Sequence, residues 1–194
     1  MSLPFSILTF LLLLFLSSSA AAARKSDAPT DDIVRSSCVH ASYPNVCVRT
    51  LSSYAGSACK TPRDLARAAV NVSLSRTRRV SSYLAHISAG DSKRQREALS
   101  DCTEQISDSV DSLSMTLGEL QHLQGGETFE WHMSNAQTWV SAALTNDDTC
   151  LDGFEGIDGK VKSDVKRKVT NLGRVTSNAL YMIKRLDESR GKHL

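Results

Sequence analysis

Three carboxylates stand close together between residues 99 and 123, at spacings that place them on one side of a helix. They are Glu104, Asp108 and Asp111. Apolar residues recur every three or four positions through the same stretch, so at about 100° per residue the acids fall roughly opposite the apolar stripe. The stripe consists of Leu99, Cys102, Ile106, Val110, Leu113, Leu117, Leu120 and Leu123. The segment therefore predicts one long helix with a buried apolar face and an exposed acidic face.

Neighbouring carboxylates of this kind can perform general acid–base chemistry, but only where the surroundings push their pKa values apart. An open helix face offers no apolar pocket that could raise the pKa of one acid above those of the others. The acids therefore indicate either a solvated surface or a surface that binds a partner, and not a catalytic centre.

Other patterns typical of catalysis or metal binding are missing from the sequence. It has no Gly-x-Ser-x-Gly elbow, no phosphate-binding glycine loop, no His-Glu-x-x-His and no Cys-x-x-Cys. Glu119 and His122 have the spacing of one ligand pair in di-iron bundles, which need two such pairs and two further glutamates facing inward. This single pair points away from the apolar stripe. We therefore predict no metal and no cofactor; a metal-dependent bundle enzyme is the alternative.

The remaining chain shows the same helical spacing, without the alternation typical of β-strands. Long amphipathic segments begin after Thr61-Pro62-Arg63-Asp64, run from about 92 to 125, begin again near 127, and extend from about 157 to 186. Two shorter helical pieces lie between residues 31 and 53. Four long helices with short connections predict an all-α, antiparallel up-down four-helix bundle at 61–194, preceded by an extension and a helical hairpin at 24–60.

Two residues and the end of the chain do not follow this pattern of apolar faces turned inward. Trp131 lies nearly opposite the inner face of the third long segment, and we expect it to pack against the N-terminal hairpin, with a partner interface as the alternative. Arg76 lies on an apolar face, where its charged end should reach the rim or meet an acid. The polar tail from Asp187 onward is expected to fray.

The first 23 residues form an apolar run that ends in small residues, which is typical of a secretory signal peptide. Cleavage is expected near Ala22 or Ala23, at these small residues. The apolar run is shorter than the ~20 apolar residues that a membrane span needs. We therefore predict a secreted, extracellular protein without membrane attachment after cleavage; a membrane anchor is the alternative. Secretion would make Asn71 a candidate glycosylation site, since Asn71-Val72-Ser73 is a glycosylation sequon.

Charge is nearly balanced over the chain, with 23 basic and 21 acidic residues and a formal net charge of +2. Basic residues cluster at Arg76, Arg78 and Arg79 and again between residues 160 and 168. We interpret both clusters as solvated helix faces. Because neither offers the concentrated basic surface that nucleic-acid binding needs, we predict no nucleic-acid partner.

Five cysteines in a secreted chain predict disulfides. Cys38 and Cys47 flank the turn of the N-terminal hairpin and are expected to close it. Cys102 lies about 23 residues before a Gly-Gly turn and Cys150 about 24 residues after it, so an up-down helix pair would bring both sulfurs to the same height. This spacing favours a Cys102–Cys150 disulfide, which should contribute roughly 3–4.7 kcal/mol. Cys59 would remain unpaired within the chain, with an intermolecular disulfide as the alternative.

Four blocks of sequence combine cysteines, aromatic residues and helix pattern in a specific order. They are Cys38 to Cys47 with Tyr43-Pro44 between them, residues 99–104, residues 139–145, and residues 149–154. This combination, which covers essentially the whole mature chain, resembles the plant invertase and pectin methylesterase inhibitor family.

The resemblance implies a secreted four-helix bundle with an N-terminal hairpin and with disulfides Cys38–Cys47 and Cys102–Cys150. It also implies a role without catalysis. The protein would be monomeric when free and would act in the apoplast and cell wall as a one-to-one inhibitor that covers the active-site cleft of a carbohydrate enzyme.

The family has two branches, and the resemblance is greater to the pectin methylesterase inhibitors. In that branch, contacts come from acidic positions after the third cysteine and from the segment around the fourth. The matching residues here are Glu104, Asp108, Asp111, Thr149 and Asp152. Invertase inhibitors carry a Pro-Lys-Phe element in a late helix, whereas this chain has no proline after Pro62. The alternatives are an inhibitor of acid invertase, cell-wall or vacuolar, and a secreted structural or storage protein with no enzyme target.

Overall fold

Six helices contain most of the residues described by the computed structural model, which are 29–55, 59–88, 90, 92–123 and 126–191. In chain order they are α1 Pro29–Cys38, α2 Pro44–Ala55, α3 Pro62–His86, α4 Lys93–Gln121, α5 Glu127–Asp152 and α6 Lys160–Gly191. No strand occurs among these residues, so the predicted all-α class is confirmed. The predicted signal peptide, residues 1–23, lies outside the described residues.

The four long helices α3 to α6 form the bundle, and each packs against two neighbours. Helix α4 lies between α3 and α5, and α6 closes the ring by packing against both α5 and α3. Short connections join successive helices, so chain neighbours run in opposite directions, as the sequence predicts. None of the helices in the described part of the chain combines a membrane-spanning length with the apolar composition that a span requires.

Helices α1 and α2 form the predicted hairpin, and α2 lies against α3 and α6. The Cys38–Cys47 disulfide closes the hairpin, with 5.7 Å between the two Cα atoms. The buried Asn178 on α6 fastens the hairpin turn to the bundle. Its Oδ1 accepts from the Tyr43 backbone amide at 3.0 Å, and its Nδ2 donates to the Tyr43 carbonyl oxygen at 3.0 Å.

The start of α3 is specified by its sequence. The Asp64 amide donates to the Thr61 hydroxyl at 3.1 Å, and the Thr61 amide donates to the Asp64 carboxylate at 3.0 Å. This reciprocal capping box satisfies two amides that the first helical turn leaves unpaired. Pro62 occupies the first turn, where no amide donor is needed.

A layer of buried polar side chains divides the core into two apolar clusters. One cluster includes Leu51, Leu65, Leu113, Met133, Val140 and Ile183 and continues into the hairpin. The other includes Val80, Ile106, Phe154, Val165 and Leu172 together with the cystine Cys102–Cys150. Between them, each of the four long helices contributes buried polar residues, namely Ser73 and Thr77 of α3, Ser109 and Ser112 of α4, Asp147 of α5 and Thr176 of α6. The Ser73 and Thr176 hydroxyls share a hydrogen bond of 2.8 Å, so polar contacts join the helices at mid-height.

Some helix ends differ from their predicted positions. Helix α6 begins at Lys160, about one turn later than expected, and the apolar Ile157 is buried in the preceding loop. Gly156 and Gly159 have φ angles of +69° and +123°, which glycine adopts readily and which end the helical path there. The expectation that the chain frays from Asp187 is wrong, because α6 continues to Gly191 and the Gln137 amide donates to the Asp187 carboxylate at 3.0 Å.

The prediction that Trp131 packs against the hairpin is also wrong. Its side chain is 62% exposed, and the hairpin packs against α3 and α6 rather than α5. The Trp131 indole instead lies beside the neighbouring His132 ring, with 5.0 Å between centroids and 77° between the ring planes. Arg76 is half-buried, and among the described residues no acid forms an ion pair with it, so its charged end reaches the rim.

Candidate partner-binding face

Helix α4 presents Glu104, Asp108 and Asp111 to solvent, and all three are exposed. The opposite side of the helix is fixed in the core by Ile106 and Leu113, which are fully buried. Within the described part of the chain, none of the three acids forms an ion pair or a side-chain hydrogen bond. They are free to contact a partner.

The spacing of these acids has a small cost to the helix. Glu104 and Asp108 are four residues apart, and Asp108 and Asp111 are three apart, so like charges face each other along the helix. Each such pair destabilises a helix by roughly 0.2–0.5 kcal/mol. No basic side chain among the described residues offsets this repulsion, so the acidic face contributes nothing to the stability of the free bundle.

Thr149 and Asp152 lie in the last turn of α5, and both are exposed. The Thr149 hydroxyl donates to the Thr145 carbonyl oxygen at 2.9 Å, so its oxygen remains able to accept a hydrogen bond. Asp148, which sequence reasoning did not select, is also exposed and lies one turn before Asp152. Its spacing of four residues was the signal that could have identified it.

The predicted Cys102–Cys150 disulfide is present and holds the two acidic helices together, with 4.2 Å between its Cα atoms. Because α4 and α5 are antiparallel, Glu104 and Asp152 each lie two residues beyond a bridged cysteine, at the same end of the bundle. Asp111 lies nine residues beyond Cys102, or about 13 Å along the helix axis. The five predicted residues therefore form an extended strip rather than one cluster.

A cavity of about 230 Å³ borders this strip at the end of α5. Its lining residues are Leu151, Asp152, Phe154, Glu155, Lys162 and Lys166. The floor is apolar, because Phe154 is buried, while the rim carries both acids and lysines. A side chain of a partner could insert here, next to the acidic strip.

Glu119 and His122 do not point to a common ligand. The Glu119 carboxylate accepts hydrogen bonds from His132 Nδ1 at 2.5 Å and from Asn135 Nδ2 at 3.3 Å, both on α5. His122 instead contacts the Gly118 carbonyl oxygen of its own helix through Nδ1, at 2.8 Å. No group of three or more histidine, cysteine or acidic side chains in the described ranges is arranged to hold a metal ion. The Glu119–His132 contact joins two helices.

Asp147 is the acid that the sequence did not distinguish, and it lies inside the bundle with 2% of its surface exposed. Burial raises the pKa of this carboxyl from 3.8 to about 8, and the negative charge of Asp148 adds to the rise, while hydrogen bonding to Ser109 and Thr176 opposes it. The Ser109 hydroxyl lies 3.4 Å from Oδ1. Asp147 is therefore protonated in mildly acidic solution and belongs to the core, not to the binding face.

Cys59 and Asn71 both lie outside the acidic strip. Cys59 is an unpaired, buried cysteine. Burial raises the pKa of its thiol, and the nearby Asp64 carboxylate raises it further. Asn71 is half-buried in α3, and its side-chain amide donates to the Arg67 carbonyl oxygen at 3.0 Å. Glycosylation of Asn71 stays a prediction.

Known proteins resemble this chain over most of its length. A sequence model described as "Plant invertase/pectin methylesterase inhibitor" matches residues 32–182. Pectinesterase inhibitor 3 of Arabidopsis thaliana is 58% identical over 169 residues, which cover 84% of this chain and 82% of the relative. A protein of Daucus carota named "21 kDa protein" is 41% identical over 164 residues, or 81% of this chain and 85% of the relative.

The fold has a counterpart among solved structures. The crystal structure of a mutant form of a pectin methylesterase inhibitor from Arabidopsis superimposes with a TM-score of 0.62. The match covers 76% of this chain and 92% of the other, at 21% sequence identity, and so supports the fold alone. With a family match across residues 32–182 and a relative 58% identical over most of both chains, this chain belongs to the plant invertase/pectin methylesterase inhibitor family.

Proposed function

We propose that the protein is a secreted inhibitor of pectin methylesterase that forms a one-to-one complex and covers the active-site cleft of the enzyme. The observation that carries this proposal is the acidic strip of α4 and α5, formed by Glu104, Asp108, Asp111, Thr149 and Asp152, combined with the 58% identity to a pectinesterase inhibitor. Such an inhibitor is not an enzyme, and it would limit the de-esterification of pectin.

The charge of the strip suits this target. A cleft that accepts a polymer of uronic acids tolerates carboxylates at several positions along its length. Glu104, Asp108 and Asp111 present carboxylates in a row on a helix, and these side chains carry no methyl ester that the enzyme could hydrolyse. The strip would therefore occupy the cleft as an inert mimic of the product's charge.

The scaffold favours tight binding because the strip is already ordered in the free protein. Ile106 and Leu113 hold α4 in the core, and the Cys102–Cys150 disulfide ties α4 to α5. A preorganised surface loses less conformational entropy on association than a flexible one. Rim charges would mainly set the association rate and its salt dependence, whereas charges buried in the complex would set its lifetime.

The second candidate is an inhibitor of acid invertase, because the family includes both activities. It is less favoured, since the chain has no proline after Pro62 and so lacks a Pro-Lys-Phe element. A third candidate is a structural or storage protein, in which the acidic strip would have no target.

One assay separates these candidates. The purified, oxidised protein is titrated in parallel against pectin demethylation by pectin methylesterase and against sucrose hydrolysis by acid invertase. We expect stoichiometric loss of the first activity and no loss of the second. Loss of sucrose hydrolysis alone would identify an invertase inhibitor, and no effect on either enzyme would support the storage protein.

Stoichiometry, location and processing are parts of the same proposal. Sedimentation should give a monomer for the free protein and a single one-to-one species with the enzyme. Expression of the full chain in plant cells should place it in the wall space, without residues 1–23 and outside the membrane fraction. Mass spectrometry of that material would also show whether Asn71 carries a glycan.

A further inference from the structure

From the sequence we interpreted two clusters of basic residues as separate solvated helix faces. In the structure, members of both clusters lie next to each other. Arg76 and Arg79 of α3 and Lys168 of α6 line one cavity of about 290 Å³ at the junction of these helices. The other lining residues are Val80, Asn171 and Leu172. The two basic clusters of the sequence are therefore parts of one surface.

A second cavity, of about 340 Å³, continues this surface toward the hairpin. It also contains Arg76 and Arg79, and it is bounded on α2 by Thr50 and Ser53. The two cavities share Arg76 and Arg79, so they lie side by side on α3, one toward α2 and the other toward α6. We call this pair of adjacent cavities the arginine groove.

The arginine groove concentrates positive charge. The pKa of Arg76 is lowered by partial burial and by the positive charges of Arg79 and Arg49, so both of these guanidinium groups repel that of Arg76. No acidic side chain among the described residues lines either cavity. Asp164, the acid of α6 nearest in sequence to Lys168, already forms ion pairs with Lys160 Nζ at 2.6 Å and with Arg167 Nη2 at 2.8 Å. An anion in the groove would relieve the repulsion.

The basic side chains are directed rather than loose. Arg79 Nη1 donates to the Ser75 hydroxyl at 3.2 Å, and Lys168 Nζ lies 4.2 Å from the centre of the Tyr83 ring. Arginine binds a carboxylate through two parallel hydrogen bonds. The arginines therefore favour a carboxylate over an anion that offers only a point charge. Two adjacent cavities with Arg76, Arg79 and Lys168 along them fit a linear polyanion better than one small ion.

We propose that the arginine groove binds a polyuronate, that is, a run of de-esterified pectin. This inference rests on the proposed function, because hydrolysis of each methyl ester by the target enzyme releases methanol and leaves a carboxylate on the polymer. The groove is formed by α2, α3 and α6, whereas the acidic strip is on α4 and α5. The protein can therefore hold the product polymer with one side and the enzyme with the other, which retains the inhibitor where pectin has already been de-esterified.

The test measures binding to the polymer without any enzyme present. Calorimetric titration with oligouronates of defined length is compared with fully methyl-esterified oligomers of the same length. We expect binding of the acidic oligomer only, weakening as salt is added. Arg76→Gln/Arg79→Gln should weaken it at least tenfold. The matched control Arg78→Gln/Lys184→Gln removes two exposed cations that line neither cavity, and it should change affinity less than twofold.

Three outcomes would overturn the proposal. Equal binding of acidic and esterified oligomers would exclude carboxylate recognition, and equal losses in both double variants would reduce the effect to net charge. Self-association of the protein alone that Arg76→Gln/Arg79→Gln abolishes, without oligouronate binding, would assign the groove to a second copy of the chain. Should the double variant fail to fold, Lys168→Gln probes the same groove from α6. Because no enzyme is present in this measurement, failure to bind the oligomer and failure to inhibit the enzyme are distinguished experimentally.

Discussion

Two sides of the bundle carry opposite charge. Helix α5 has no lysine or arginine, and after its first turn α4 has only acids among its charged residues apart from histidine. Helix α3 has five arginines and the single acid Asp64, and α6 is rich in lysine and arginine. Because α4 packs on α5 and α3 packs on α6, the charges separate into an acidic and a basic side. A net charge of +2 conceals this separation, so net charge alone is a poor guide to the partners of this protein.

The largest effect that could change this comparison is loss of the disulfide on the acidic side. Cys102→Ala/Cys150→Ala opens a loop with a sequence separation of 48 and should lower the free energy of unfolding by about 4 kcal/mol. Cys38→Ala/Cys47→Ala opens a loop with a separation of 9 and should cost about 3 kcal/mol. Urea unfolding of both variants measures the difference. A greater loss from the hairpin variant would show that the acidic helices do not depend on their covalent tie.

The next effect comes from Asp147, which is the buried acid among the described side chains of α4 and α5. Because the pKa of Asp147 is raised in the folded state, its stabilising contribution is complete below pH 3.8 and is lost as pH rises toward 8. Between these values the loss is about 1.4 kcal/mol per pH unit, or about 3 kcal/mol from pH 5 to pH 7.

Asp147→Asn keeps the shape of this side chain and removes its titration. We expect the free energy of unfolding of the variant to vary less between pH 5 and pH 7 than that of the wild type. Urea unfolding at both pH values measures this. If the free energy of unfolding depended on pH in the same way for both proteins, the Asp147 carboxyl would ionise without cost in the bundle. The buried acid and the exposed acids of the acidic side would then behave alike.

A smaller effect tests the exposed acids themselves. Glu104→Ala/Asp108→Ala/Asp111→Ala should weaken inhibition of pectin methylesterase at least tenfold, equivalent to about 1.4 kcal/mol or more. The bundle should be as stable or slightly more stable, because repulsion between like charges is removed and alanine favours helix. A control, Glu130→Ala/Glu188→Ala, removes exposed acids elsewhere. Unchanged inhibition by the triple variant would remove this face from the mechanism.

The smallest effect concerns the polar contact between the two acidic helices. Glu119→Gln weakens the hydrogen bond from His132, whose side chain and that of Glu119 are only 20% and 18% exposed, and should cost about 1 kcal/mol, the typical net contribution of one hydrogen bond. Thermal unfolding measures this cost. A loss as large as that of the disulfide variant would mean that a single charged contact, and not the cystine, holds the acidic side together.

The long helices and their buried faces could be predicted from the sequence because apolar spacing reports directly on packing. Leu99, Cys102, Ile106 and Leu113 are all buried as their period requires. The disulfide Cys102–Cys150 followed from helix rise alone. The separation of charge was also present in the sequence, but it depends on which helices become neighbours.

The failures of prediction have physical causes. Asp147 stands beside the exposed Asp148, and only the packing of α4 and α6 around it distinguishes a core acid from a surface acid. Trp131 is exposed because the hairpin crosses the other pair of helices. Helix α6 begins later than predicted because two glycines with positive φ shape the loop before it. The partner contacts of the acidic strip depend on a second protein and so have no signature in this chain's own packing.

The clasp between Asn178 and the Tyr43 backbone also has a consequence for biosynthesis. These groups are 135 residues apart in sequence, and Asn178 belongs to the last helix. A growing polypeptide cannot close this contact until nearly the whole chain has left the ribosome, and long-range contacts of this kind form late. The amino-terminal hairpin is thus synthesised before the bundle but docks onto it late, so the Cys38–Cys47 disulfide, which closes a separation of only 9 residues, can form before the bundle exists.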